Sequence, residues 1–208
     1  HYNNPNHATR AEVDGPITLG IIQEAIRLLD DAKGEYFSEV DDGGLFEGTV
    51  PIEPSYIGLS HTNVLPDLRR VDGFVTPAEY GSAKAMNKHE RGSIENTRWL
   101  LSPELTPFAD AGAAVSGLII KSSSGTNADV YPMLICAKHA LGCADLKGDS
   151  DDGWGGVEVE ILDKADKSDP GNLNTLAVAH WWDLQLILND TWVVRVEVAA
   201  SADLTQLT

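Results

Sequence analysis

The apolar positions of this chain first repeat with the period of a helix and later with that of a strand. The helical stripe recurs every three or four residues, at Ile22, Ala25, Ile26 and Leu29. Thr18 is a suitable N-cap and Gly34 a suitable stop, so the pattern predicts an amphipathic helix over 18–33. Residues 1–16 are polar, and residues 34–54 are rich in Asp, Glu, Gly and Pro. Both segments are predicted to be irregular.

Two further helix starts and a short strand follow in the middle of the chain. The run 56–60 predicts a strand, and a helix is expected to begin near Thr62. Thr76 and Glu79 have the spacing of a capping box, and Pro77 occupies the first helical position. This combination predicts a second helix start at Thr76.

From residue 92 onward the apolar positions follow the pattern of strands. Apolar runs predict strands over 94–101, 118–120, 130–136, 141–146, 176–188 and 192–198. Val157, Val159 and Ile161 alternate with Glu158 and Glu160, which is typical of a half-exposed strand. The composite prediction is an α+β protein, with helices early and an antiparallel sheet late.

The last two apolar runs are predicted to form a hairpin. The residues between them, Asn189-Asp190-Thr191, have turn chemistry. In a regular strand over 192–198, period two places Trp192, Val194, Val196 and Val198 on a packed face. Arg195 and Glu197 are then expected on the opposite face.

Length and charge narrow the class of protein. A chain of 208 residues can bury one substantial core or two smaller ones. The formal net charge of −17 argues against a nucleic-acid groove, which needs a dense surface of Lys and Arg. No run approaches the roughly 18 apolar residues of a membrane helix, and no signal peptide is visible. Because the chain begins with His rather than Met, we expect a processed or truncated protein.

Cysteine and histidine are placed without the spacing of a known site. Cys136 and Cys143 fit neither a zinc knuckle nor a redox pair, and both are expected to be buried in strands without a mutual disulfide. The six histidines form no zinc-protease motif. His61 is expected to make a local hydrogen bond at a helix start, and His180 to be a core or interface residue. His139 precedes Cys143 by four residues, but a catalytic pair is not favoured there.

The acidic and small residues are no more specific. A calcium loop counted from Asp149 would include Asp151 and Glu160, yet Gly153 and Trp154 fall where a carboxylate and a glycine are required. Ser116 lacks the nucleophile elbow of a hydrolase. The acidic loops are therefore interpreted as solvated surface. No catalytic residue, cofactor site or metal site is predicted.

Seven segments of the chain carry a family resemblance: 17–29, 60–70, 92–98, 130–135, 137–142, 178–183 and 187–197. They include Asp67-Leu68-Arg69-Arg70, Gly92-Ser93-Ile94-Glu95-Asn96-Thr97-Arg98, Val130-Tyr131-Pro132 and Asn189-Asp190-Thr191-Trp192-Val193-Val194-Arg195-Val196-Glu197. In order and spacing these segments resemble the coat-protein family typified by coliphage N-four. That family consists of major capsid proteins of tailed phages with the Hong Kong 97 fold.

The resemblance implies a Hong Kong 97-like capsid fold, with a long spine helix, a mostly antiparallel central sheet and flanking helices. It implies that 1–54 holds the end of the extended loop, the spine helix and a connector of the peripheral domain. Residues 55–188 would form the axial domain, and 189–208 the return strand to the peripheral domain. Residues 1–16 resemble only the end of the extended loop, so the chain is expected to be a C-terminal portion of such a coat protein.

The function implied by the resemblance is structural. The chain would self-associate into hexamers and pentamers of an icosahedral phage head that encloses DNA without sequence-specific binding. Scaffold, portal and decoration proteins would be its other partners, with no membrane and no cofactor. It would be assembled in the host cytoplasm and reside in the virion.

Two other classes of function remain open from the residues alone. Trp181, Trp182 and Trp192 could serve a β-rich carbohydrate-binding or capsid decoration module, although packing is the more usual use of such residues. Paired acidic residues in a cleft could serve a hydrolase. An exposed row of tryptophans would favour the first, and a carboxylate-lined cleft the second.

Overall fold

Strands make up most of the secondary structure in the computed structural model, which describes residues 1–41, 49–80, 85–115, 120–145, 158–162, 175–180 and 183–202. The strands are β1 Phe37–Asp41, β2 Thr49–Ser60, β3 Glu90–Ile94, β4 Thr97–Leu101, β5 Val130–Cys136, β6 Leu141–Asp145, β7 Glu158–Leu162, β8 Leu176–His180, β9 Asp183–Ile187 and β10 Val193–Ala199. The helices are α1 Leu19–Asp31 and α2 Leu65–Leu68. Within these residues, no helix has the length and apolar character needed to cross a bilayer.

The chain divides into two units of very different size. The first, unit 1, comprises His1–Ala140 and Asn189–Thr208, and the second, unit 2, is Leu141–Leu188. The chain leaves unit 1 after Ala140 and returns to it at Asn189. These two residues are close together, because the Asn189 N–H donates to the Ala140 carbonyl at 3.4 Å. The predicted segments 1–54, 55–188 and 189–208 describe a different division, which stays a prediction.

Unit 1 is organised around a six-stranded mixed sheet. Its order is β10-β5-β2-β4-β3, and β1 also pairs with β2. β2 and β4 run parallel, in register from Tyr56↔Thr97 to Ser60↔Leu101. The neighbouring pairs are antiparallel, including β10 with β5 and β3 with β4. The sheet is therefore mixed: one of its pairings is parallel and the others are antiparallel, whereas the prediction did not include a parallel pair.

The expected long spine helix is also wrong. α1 has 13 residues, which corresponds to roughly 20 Å at 1.5 Å per residue. It ends because Lys33 adopts a left-handed conformation, with φ 57°, and the Gly34 N–H donates to the Leu29 carbonyl at 2.8 Å. The chain then turns into β1. Short helices and a mixed sheet contradict the Hong Kong 97-like α+β fold.

The amphipathic helix itself is confirmed. α1 begins after Thr18, as predicted, although the Thr18 side chain makes no capping hydrogen bond. Ile22 and Leu29 are fully buried, and Ala25 is nearly so. Lys33 rather than Gly34 takes the left-handed position, so the expected role of Gly34 is wrong. The helix is held by its buried stripe rather than by its N-cap.

One exposed position of α1 is not optimal for a helix. Gly20 lies in the first turn, and a Cβ built there would meet nothing within 4 Å. We expect Gly20→Ala to raise the free energy of unfolding by about 0.5–1 kcal/mol, because alanine loses less backbone entropy on folding. Urea titration would measure the change. A destabilised variant would contradict the helical assignment at this position.

Several local predictions fail for identifiable reasons. Residues 34–54 were predicted to be irregular but contain β1 and the start of β2. Residues 94–101 form two strands rather than one, because Glu95 turns the chain with φ 50°. The helix expected near Thr62 is a 3-10 turn followed by the four-residue α2. The capping box at Thr76 is present, but it starts only a single 3-10 turn.

The predicted hairpin between 176–188 and 192–198 is wrong. β9 pairs with β6, whereas β10 pairs with β5. The Asn189 side chain accepts the Thr191 N–H at 3.1 Å and caps a 3-10 turn at Asp190–Trp192. The turn chemistry was therefore recognised correctly, but it forms a 3-10 turn before β10 and does not join two paired strands.

The core of unit 1 lies between α1 and the sheet. Its largest fully buried side chains include Trp99 and Tyr56. A second, smaller cluster joins Val13 to apolar residues around the start of β5. Val13 is fully buried, so residues 1–16 are more than an irregular polar arm.

Candidate interaction surface

Titratable side chains do not gather into a metal-binding group in the part of the chain that the structure describes. No set of three His, Cys, Asp or Glu residues there could hold a metal ion. Glu160 is exposed in β7. The rest of the acidic loop, including Asp149 and Asp151, lies outside the described residues, as do Ser116 and the side chain of His180.

His61 has the local role that was predicted for it. Its Nδ1 accepts the Asn63 N–H at 2.9 Å and caps the turn at Thr62–Val64. The ring lies 5.3 Å from the ring of Tyr131. Burial lowers the pKa of His61 below its usual range, and the positive charge of Lys121 lowers it further. The neutral ring is therefore the form that the fold requires.

Acidification should cost stability at His61. A histidine whose pKa is lower in the folded state contributes stability above about pH 6.5, and this contribution is lost as the pH falls toward the folded pKa. We expect His61→Asn, which keeps a capping oxygen, to lose less stability than the parent between pH 7 and pH 5. Chemical unfolding at several pH values would show it. The exposed His89 provides the control, and an equal effect of His89→Asn would contradict the assignment.

Trp192 is used for packing rather than for an exposed platform. Its Nε1–H donates to the Ala32 carbonyl at 3.0 Å, and the ring packs against the main core of unit 1. It therefore fastens the end of α1 to the start of β10. Trp181 and Trp182 lie outside the described residues.

The two cysteines have different environments. Cys136 is buried in β5, and burial raises the pKa of its thiol to about 11. Cys143 is exposed in β6, so the prediction that both are buried is wrong for Cys143. Both are thiols rather than a disulfide, as expected. The high pKa makes Cys136 a poor nucleophile near neutral pH.

The alternation predicted for β10 is confirmed, but both of its faces are covered. Val194, Val196 and Val198 are buried in the main core, and Arg195 is exposed. Glu197, on the same side as Arg195, is nevertheless only 2% exposed. The N-terminal residues cover this side, and Tyr2 forms a bridge to Glu197.

The Glu197 carboxylate is held by a bidentate ion pair. Arg10 donates from Nε to Oε2 and from Nη2 to Oε1, both at 2.7 Å. The Arg10 guanidinium also lies 3.6 Å from the centre of the Phe108 ring. The hydrogen bond from Arg10 lowers the pKa of Glu197. These contacts fasten the N-terminal segment across β10 and have a structural use.

A second buried carboxylate has a similar structural use. Asp67 in α2 accepts the Ser201 N–H at 2.9 Å and the Ser201 hydroxyl at 2.6 Å. Arg70 lies 3.5 Å from the same carboxylate. The Asp-Leu-Arg-Arg segment therefore anchors the chain after β10, so this motif also serves packing.

Unit 2 presents the candidate interaction surface. β6 and β9 form a two-stranded ladder, in register from Leu141↔Ile187 to Asp145↔Asp183. Large apolar side chains of this ladder, and of the residue that follows it, are at least half exposed: Leu141, Leu184, Leu186, Ile187 and Leu188. A groove of about 450 Å³ on the ladder is lined by Leu141, Gly142, Cys143, Gln185, Leu186 and Ile187. Such a surface favours contact with another apolar surface.

The other ladder of unit 2 is also exposed. β7 pairs with β8, in register from Glu158↔His180 to Leu162↔Leu176. Val159 and Ile161 are 60% and 63% exposed, and Leu176 is 59% exposed. The strand predicted from the alternation over 157–161 is observed at 158–162, but its apolar side chains Val159 and Ile161 are exposed rather than packed. A two-stranded sheet alone is marginally stable in water, so both ladders call for additional contacts.

The outer strand edges of the two units differ in whether they are paired. In unit 1, the outer edge of β10 is covered, because the Asn3 N–H donates to the Glu197 carbonyl and the Ala199 N–H to the Gly15 carbonyl. The outer edge of β3 pairs with Val75 through Ser93. In unit 2, neither ladder has a third strand among the described residues. Uncovered edges are sites where another strand can pair.

Sequence reasoning did not identify this surface. Alternation and apolar runs indicate strands but do not say which strands acquire a covering layer. A usable signal was present in the length of the segment. Unit 2 spans only 141–188, and a segment of this length has little apolar surface to bury on its own.

Comparison with known proteins does not assign a function to this surface. No family model matches the chain, and no curated protein matches it significantly.

Proposed function

We propose that the chain is a structural coat-protein subunit that self-associates into the hexamers and pentamers of a phage head. The single observation that supports this most is the exposed apolar surface of unit 2, carried by two-stranded ladders that no other described strand extends. A subunit whose stability depends on neighbours has this kind of surface. The proposal includes membership of the N-four-type coat-protein family, which the sequence motifs resemble.

The family-like motifs support a structural reading because of what their residues contact. Asp67 binds the chain after β10, and Glu197 pairs with Arg10. Trp192 fastens α1 to β10. None of these three side chains is left facing a cleft with a second reactive group, so the motifs support packing rather than catalysis. The proposal does not rest on the Hong Kong 97 fold, which the structure contradicts.

The charge of the chain fits a container rather than a DNA-binding protein. A net charge of −17 repels phosphate groups, so the inner surface of a shell of such subunits would enclose DNA without binding it tightly. Scaffold, portal and decoration proteins are the further partners in this proposal. The location would be the virion, after assembly in the host cytoplasm.

The carbohydrate-binding alternative has less support. Of its three tryptophans, Trp192 has its ring against the core and its N–H bonded to Ala32. It is therefore unavailable as a stacking platform. No observation on the described residues favours this alternative over assembly.

Sedimentation and electron microscopy of the purified chain test the proposal. Because the chain is expected to start after most of the extended loop, we expect it alone to form only weak, small oligomers. Their population should increase with protein concentration and with salt, because salt screens the repulsion between acidic subunits. Ring-like or shell-like particles in negative stain would support a coat protein specifically. A chain that remains monomeric at the highest soluble concentration and at every salt concentration would contradict it.

A further inference from the structure

We infer that β9 is the self-association edge of unit 2, where it pairs antiparallel with β9 of a second copy around Leu186. This inference rests on the proposed function and specifies which part of the chain associates. It depends on three features: an edge of β9 that no described strand covers, the absence of charge from Leu184 to Leu188, and a spacing of leucines that matches itself when the strand is reversed.

The uncovered edge comes first. β9 is bonded on one side to β6, and among the described strands nothing pairs with its other side. An outer edge carries a row of N–H and C=O groups, for which another strand is the complementary partner. Unit 1 covers the corresponding edge of β10 with its own N-terminal segment, so the chain does not leave every edge open.

The absence of charge selects the partner. The side chains from Leu184 to Leu188 are all uncharged, although the chain as a whole carries −17. Two copies can therefore meet along β9 without opposing carboxylates, which would destabilise a cross-strand pair. β7 differs, because self-pairing there would bring Glu158 and Glu160 of each copy together. A basic partner would find no carboxylate on this part of β9.

β8 is also uncharged from Leu176 to Ala179, but its apolar side chains are smaller. Two of those four residues are alanine, and Val178 is only 36% exposed. Leu186 and Leu188 are 57% and 60% exposed. β9 therefore offers more apolar surface for burial and is the better edge for association.

The register follows from the leucines. Antiparallel pairing centred on Leu186 places Leu184 of each copy opposite Leu188 of the other. Strand residues alternate, so Leu184 and Leu186 lie on one face of the joined sheet, and Leu188 would share it where the pairing extends β9 by one residue. The same register places Asp183 opposite Asn189 of the other copy, so the flanking carboxylates do not meet. The pair is a twofold contact between identical chains, so in a phage head it would join subunits of neighbouring hexamers or pentamers rather than close one ring.

Disulfide trapping tests the register in the full chain. Cys143→Ser removes the exposed native thiol, and Leu186→Cys is then introduced. Opposed residues of an antiparallel pair have Cβ atoms about 4.5–5.5 Å apart, close to the distance that a disulfide spans. We expect mild oxidation to give a covalent dimer on a non-reducing gel.

Gln185→Cys in the same background is the matched control. Residue 185 faces residue 187 of the other copy in this register, so we expect roughly tenfold less dimer than with Leu186→Cys. Equal trapping at both positions would overturn the inference, because random collision would explain it. Thermal melts and circular dichroism of both variants establish that they are folded.

A charge substitution provides the second measurement. Leu186→Lys should abolish concentration-dependent association in sedimentation velocity, whereas Ile161→Lys, at an equally exposed site on β7, should leave it unchanged. If the chain associates but neither Leu186→Lys nor Leu186→Cys shows an effect, the inference fails and the proposed function survives. If the chain is monomeric under all conditions and no dimer is trapped, both fail.

Discussion

Arg10→Ala is expected to lower the free energy of unfolding by about 3 kcal/mol, because it leaves a buried carboxylate short of its main partner. Glu197 is 2% exposed and receives two 2.7 Å hydrogen bonds from Arg10. Removing one member of a buried ion pair costs about 3–5 kcal/mol. We expect the lower end, because Arg10 is partly exposed and Arg195 remains 3.3 Å from the carboxylate.

Two substitutions separate the ion pair from lost packing. Arg27 makes an exposed pair with Glu24 at 3.8 Å on α1, and Arg27→Ala should change stability by no more than about 0.5 kcal/mol. Adding Glu197→Gln to Arg10→Ala should recover part of the loss, since an amide costs less to bury than a carboxylate. If the double variant is less stable than Arg10→Ala alone, the buried charge is not the cause.

The pH dependence follows from the lowered pKa of Glu197, whose largest cause is the hydrogen bond from Arg10. A carboxylate with a lower pKa in the folded state contributes stability above its unfolded pKa of about 4.3, and this is lost as the pH falls through the folded value. The stabilities of the parent and Arg10→Ala should therefore converge in acid. Urea titrations at successive pH values would measure this convergence.

Gly58→Ala is expected to cost about 2–3 kcal/mol, although it adds one methyl group. A Cβ on Gly58 would lie 2.5 Å from Cε3 and 2.6 Å from Cζ3 of Trp99. Trp99 is fully buried and is the parallel-strand partner of Gly58. The ring cannot move aside without displacing its neighbours, because protein interiors are close-packed. Chemical unfolding would measure the loss.

The clash predicts strong coupling between the two positions. Trp99→Leu alone should be destabilising, because it leaves a cavity in the core. In that background, Gly58→Ala should cost much less than in the parent, since the ring that it meets is gone. Gly20→Ala, where the added methyl meets nothing, is the control for the effect of alanine itself. Additive effects at 58 and 99 would contradict the packing described.

Much of the local structure could be predicted from the sequence, because it depends on nearby residues. The stripe from Ile22 to Leu29 marks α1, and the alternation of Val194, Val196 and Val198 marks the buried face of β10. The turn at Asn189 was also visible. These features follow from side-chain periodicity and local hydrogen bonds.

The long-range arrangement could not be predicted in this way. Nothing local to Gly58 or Trp99 indicates that β2 and β4 run parallel, since pairing depends on residues far apart in sequence. Glu95 at φ 50° divides a run that reads as one strand. Glu197 looks like a surface residue until Arg10 is placed over it.

The candidate surface was missed for a related reason. Leucine is a residue type that is usually buried, so nothing in the sequence marks Leu186 as exposed. Whether its side chain is exposed depends on the whole fold rather than on its own strand. The family resemblance likewise suggested a long helix from residues that form only 13 helical positions. Motif similarity gave no measure of helix length, which here is set by the left-handed residue at Lys33.

The contact between Ala140 and Asn189 makes unit 2 an insertion between two neighbouring strands. β5 and β10 pair along their lengths, yet the whole of Leu141–Leu188 separates them in the chain. The entropy of closing such a loop grows only slowly with its length, by about 0.6 kcal/mol for each doubling. Insertions, deletions and substitutions in this segment therefore have little effect on the stability of the sheet. The part of the chain that we assign to association is thus also the part most able to diverge.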